Sequence, residues 1–127
     1  DLRNTDEATL EAAEARVAEA ARSAAEAEGC RLASRSLARF APVAFDEELV
    51  ARVEAAAEAR GLAVRRMPSG AGHDAQMFAP NCPTAMVFVP SRGGLSHNTA
   101  EHTEPAQLVA GAQVLLDVAL DLLGEAA

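Results

Sequence analysis

Apolar residues along this 127-residue chain change their period several times, and each change marks an element. Leu10, Ala13, Val17, Ala20, Ala21 and Ala24 recur at helical spacing. They predict a helix capped at Asn4 or Thr5, with Asp6 and Glu7 favouring its positive end and Gly29 stopping it. From Cys30 to Phe40 the period falls to two, so an amphipathic strand is expected there. Ala41-Pro42 breaks that pattern and marks a domain boundary. Asp46 then caps a second helix whose Leu49, Val50, Val53, Ala56 and Ala57 share a side, and Gly61 closes it in the left-handed conformation. Leu62–Arg66 reads as a short strand. The segment Ser69–Ala75 reads as a glycine-rich turn entering a short helix that Pro80 ends. Pro83–Pro90, a bulky apolar run bounded by prolines, reads as a buried strand. A last helix starts near Thr103, with Pro105 tolerated in its first turn. Its Leu108, Ala112, Leu115, Ala119 and Leu122, flanked by further leucines, make a face broad enough to need burial on more than one side. Alternating helices and strands predict an α/β fold.

Composition sharpens this picture in two ways. Half the residues are hydrophobic, but about half of these are alanine and aromatics are only 3%, so little area is buried per residue. The net charge is −8 and every basic residue is an arginine, a balance that disfavours nucleic acid as a partner. Cys30 and Cys82 form no CxxC pair, which disfavours a cysteine zinc site. No membrane span is expected, because Asp117 and Asp121 interrupt the longest apolar stretch. No signal peptide is recognisable, and the chain opens on Asp1 without an initiator methionine.

Chemistry concentrates between positions 73 and 102, which hold all three histidines. His97 follows two glycines directly after the expected buried strand, where open α/β sheets place ligands. On spacing alone it reads equally well as a cleft ligand or as a surface-loop histidine. His73 and Asp74 sit where glycines permit close backbone approach to a ligand. His73 there either donates to a developing oxyanion or caps the short helix. His102 lies five residues from His97, which is not a same-face helical spacing. Catalytic zinc takes three protein ligands and an open position, and these residues do not complete such a set.

Three strings, Ser69-Gly70-Ala71-Gly72-His73-Asp74-Ala75, Pro83-Thr84-Ala85-Met86-Val87-Phe88-Val89-Pro90-Ser91 and Gly93-Gly94-Leu95-Ser96-His97-Asn98, occur in one order. In order, spacing and residue type they resemble the C-terminal signature of N-carbamoyl-L-amino-acid hydrolases, allantoate amidohydrolases and β-ureidopropionases. Asp1-Leu2-Arg3 and the acidic helix after it resemble part of that family's lid domain. The resemblance covers essentially the whole chain but only about the last third of a family enzyme. It implies residues 1–42 as the second half of a small α/β lid and dimerisation domain. It implies residues 43–127 as the C-terminal part of an α/β di-metal hydrolase domain.

Carried over by motif, His97 is a metal ligand, His73 binds substrate and stabilises the oxyanion, and Arg3 grips the substrate carboxylate. Glu101 would orient His97, with Asp74 as a rival for that role. The implied cofactor is a pair of Zn²⁺ ions, with Mn²⁺ as the alternative, and the implied reaction is hydrolysis of a ureido C–N bond by activated water. The remaining ligands and the general base are not expected in this chain, which alone should be inactive. A cytoplasmic homodimer formed through the lid domain is the implied state. One departure is Thr99, where the family often has proline. Two other readings stand beside this one: a non-enzymatic α/β dimerisation or binding module, and a related aminoacylase- or dipeptidase-type peptidase. The second is disfavoured by His73, because that branch typically carries Gly-Gly-Thr-Asp there.

Overall fold

The computed structural model describes residues 1–125. They divide into two units, residues 1–44 with 68–72 and residues 45–67 with 73–127, the second including two terminal residues outside the description. Residues 68–72, which the sequence reading places in the second piece, belong to the first unit. Their link there is a hydrogen bond from the Arg3 guanidinium to the Gly70 carbonyl.

The first unit is built on helix α1, Glu7–Ala27. Its cap is Asp6 rather than Asn4 or Thr5. The Asp6 carboxylate accepts from the Thr9 N–H at 2.8 Å and from the Thr9 hydroxyl, while Asn4 Oδ1 accepts from Asp6 N–H one step earlier. Those two bonds draw the Asp6 carboxyl below its usual range. Gly29 takes φ 62 and ends the helix as expected. Of the predicted stripe, Leu10 is buried while Val17 is 54% exposed. Arg39 ties the returning segment to the helix, reaching Glu7 Oε1 at 2.6 Å and both Glu14 oxygens at 3.1 Å. Hydrogen bonds to Glu7 and then Glu14 push the Arg39 pKa up.

The second unit centres on α2 (Glu47–Ala59) packed on α4 (Pro105–Glu125), with α3 (Asp74–Phe78) and a 3₁₀ turn at Arg92–Gly94 between them in sequence. Asp46 caps α2 through the Leu49 N–H, and Gly61 follows at φ 70. Ala57 of α2 and Val114 of α4 are buried. Ion pairs flank this contact. The Arg60 fork holds Asp117 at 2.5 and 2.8 Å and donates to Gln113, while Arg52 bridges Asp121 and Glu48. Arg66 reaches Glu47 and Glu54, securing the end of the Leu62–Arg66 segment to α2.

Gly111 of α4 lies so close to Val89 that a Cβ added there would overlap Val89 Cγ1. Glycine at this position permits that approach, which seats the Pro83–Pro90 segment on α4.

Two features differ from the sequence expectation here. Cys30–Phe40, Leu62–Arg66 and Pro83–Pro90 form no strands, since no ladder of backbone hydrogen bonds joins them to a partner among the described residues. The one backbone bond reaching the last of them, Asp46 N–H to Thr84 O at 3.0 Å, is isolated. A strand exists only as a pair, and alternation shows two faces without supplying the neighbour.

Secondly, Pro105–Gly124 is long and apolar enough to cross a membrane by length and composition, despite Asp117 and Asp121. Asp121 is engaged by Arg52 of α2 and Asp117 by Arg60 at its C-terminal cap, which fits a helix docked on protein.

Burial is sparse. The accessible surface is 9887 Å², against about 6,400 Å² for a folded monomer of this mass. Leu108, Val109, Leu115, Leu116, Leu120 and Leu123 of α4 are each more than half exposed.

Candidate functional site

The apolar segment seated on α4 delivers the chain into the loop Ser91–His102. Its base is closed by Arg92 N–H to His102 O at 2.8 Å, and Arg92 also pairs with Glu104 at 2.6 Å. Ser91 Oγ donates to Leu95 O inside the turn, where Gly93 and Gly94 take φ 66 and 68. A compact surface loop with its ends tied in this way is a frequent carrier of function.

His97 stands at the far side of this loop with φ 55, the one non-glycine residue at positive φ among the described residues. Its backbone N–H donates to Glu101 Oε2 at 2.9 Å. Glu101, which the resemblance gives as orienting His97, therefore bonds its main chain. The His97 side chain is exposed and makes no hydrogen bond among the described residues. His102 is turned to Glu104, with Nε2 3.4 Å from its carboxylate.

His73 caps α3, and its Nδ1 accepts the Ala75 N–H at 3.2 Å. The structural role and the chemical role weighed for this residue are thus compatible. With Nδ1 accepting that bond, the ring leaves its Nε2 edge as the side able to donate. Asp74 is the first residue of α3 and makes no hydrogen bond to His97.

Arg3, in the first unit, is fully engaged. Its fork pairs with Asp1, and Nη1 donates to Gly70 O within the glycine-rich string. Sequence reasoning missed this tie, because nothing in spacing relates positions 67 residues apart.

An unengaged imidazole on a held turn suits one metal bond. Among the described residues no group of three or more His, Cys, Asp or Glu side chains is arranged to hold a metal ion. Cys30 and Cys82 are both free and exposed.

Residues 29–121 match the model of peptidase family M20/M25/M40. The chain is 40% identical to an N-carbamoyl-L-amino-acid amidohydrolase of Rhizobium meliloti over 95% of its own length and 29% of the relative's. It is 50% identical to the allantoate amidohydrolase of Escherichia coli K12 over 58% of its length and 18% of that enzyme's. The crystal structure of a hydantoinase/carbamoylase-family amidase from Burkholderia vietnamiensis superimposes with a TM-score of 0.87 at 42% identity, over 94% of this chain and 29% of that one. The chain thus spans less than a third of the length of these relatives. The family suggested by the histidine and glycine strings is the one these comparisons return, and the chain belongs to peptidase family M20/M25/M40.

Proposed function

We propose that this chain is the C-terminal part of a metal-dependent amidohydrolase that cleaves the ureido C–N bond of N-carbamoyl amino acids, allantoate or related ureido acids. The observation that carries this reading is the held, left-handed His97 with an unengaged ring, on a loop tied at its base. The relatives' printed activities support the substrate class.

In this reading His97 provides one metal bond. Zn²⁺, with Mn²⁺ as the alternative, supplies the Lewis acidity for water activation and carbonyl polarisation when bound. His73 keeps its Nε2–H toward the substrate and donates to the oxygen that gains charge as the carbonyl is attacked. Its tautomer is set by the Ala75 N–H, so the donor costs no rearrangement during reaction. Arg3 holds the substrate carboxylate through a planar, permanently charged fork, exchanging its Asp1 pairing for the ligand. The general base and other ligands lie outside this chain, so the chain alone is inactive.

The same proposal accounts for the fold. The extended segments pair as strands of an α/β enzyme, and the exposed leucines of α4 are covered by the rest of it rather than by lipid. The first piece, about residues 1–42, forms the lid through which two subunits of a cytoplasmic enzyme associate, and the open stripe of α1 suits that role. With the full length of its relatives, the enzyme is expected to release ammonia from N-carbamoyl amino acids or allantoate and to stop when metal is chelated.

A further inference from the structure

The left-handed conformation of His97 needs an explanation that loop composition does not give. Gly29, Gly61, Gly93 and Gly94 also take positive φ, where a glycine bears no steric cost. A residue with a Cβ does bear one, and such outliers persist only where surrounding contacts enforce them. At His97 the enforcing contact is one carboxylate oxygen, Glu101 Oε2, on the backbone N–H.

Glu101 is itself brought back to that point by a short turn. Its own N–H donates to Asn98 O at 3.0 Å, and the Ala100 N–H donates to Asn98 Oδ1 at 2.9 Å. The carboxylate therefore fixes the direction in which the His97 side chain leaves the main chain. It leaves both ring nitrogens open.

We propose that Glu101 is a positioning residue. By accepting the His97 backbone N–H it holds the left-handed turn that presents the imidazole to a divalent cation completed by ligands from the rest of the enzyme. The proposal rests on the reading of His97 as a metal ligand and deepens it. A carboxylate bonded to the ring would select which nitrogen binds. Glu101 instead sets where the ring stands.

The test uses the full-length enzyme and Zn²⁺ itself as the probe. Zinc affinity is measured by competition with a chromophoric chelator, alongside circular dichroism, for the parent, H97A, E101A, E101D and E101Q. H97A should lose one metal per subunit. E101A should bind that metal about 10–100-fold more weakly, the usual effect of removing a group that orients a ligand. E101Q, whose amide oxygen can accept the same N–H, should recover most of the affinity.

E101A with parental affinity, while H97A loses its metal, overturns the positioning role alone. H97A with parental affinity overturns the ligand reading beneath it. Should E101A not fold, E101D carries the test. It keeps the charge but withdraws the acceptor by one methylene, and parental affinity in E101D overturns the proposal.

Discussion

Replacing Gly111 by alanine pits two effects of known sign against each other. In a helix interior alanine is favoured over glycine by about 1 kcal/mol, so G111A on an open face would stabilise the protein. Here the new methyl would overlap Val89 Cγ1, with Val89 Cβ itself 4.0 Å away. A β-branched valine has few χ1 positions to retreat to, and forcing a methyl into occupied space costs about 1–3 kcal/mol. The net expectation runs from near zero to a loss of about 2 kcal/mol. A double-mutant cycle isolates the contact. In a V89A background the overlap is gone, and G111A should recover its gain of about 1 kcal/mol. Urea midpoints of the four full-length proteins, compared at constant m, give the coupling. G111A stabilising equally with valine and with alanine at position 89 would refute the seating of the Val89 segment on α4. That seating also supports the loop that follows, so a disruptive G111A should weaken zinc binding at His97.

Three further outcomes follow from the same geometry. The 127-residue chain by itself, with its α4 leucines exposed, should bind a hydrophobic dye strongly and melt without a sharp transition, whereas the full-length enzyme should do neither. The Arg60 hydrogen bonds hold the Asp117 carboxyl below its usual range. That pairing therefore contributes above the unfolded aspartate value of about 3.9 and is lost as pH falls through the lower folded value. D117N should remove this step from the acid-unfolding curve while leaving the curve's other steps in place; an unchanged curve would show that the pair contributes nothing. H73A should reduce kcat by about 10²–10³-fold, as expected for loss of an oxyanion donor. A change confined to KM would limit His73 to substrate binding.

The helices were legible because their signals are local. Asp46 and Gly61 bound α2 where a cap and a left-handed stop are expected, and Gly29 ends α1. The α1 cap moved to Asp6 because a carboxylate reaching both Thr9 N–H and Thr9 Oγ1 outcompetes its neighbours, a geometry that composition does not rank. The strands were not recoverable within the described residues, since Cys30–Phe40 and Pro83–Pro90 need partners that alternation does not supply. His97 and Glu101 were singled out by their motif, but the nature of their link was not legible. Only the backbone angle shows the carboxylate serving the main chain instead of the imidazole. The tie between Arg3 and Gly70 likewise joins two recognised strings through a contact that no spacing rule foresees.

The central claim is that this segment serves ureido hydrolysis through a metal held partly by His97. Its most direct test is ammonia release by the metal-loaded, full-length enzyme from N-carbamoyl amino acids and allantoate, in parallel with its H97A variant. The account predicts turnover of at least one of these substrates, loss of that turnover with a chelator, recovery on adding Zn²⁺ or Mn²⁺, and near-background release by H97A. No turnover of any ureido acid after metal loading, or full activity in H97A, would contradict it.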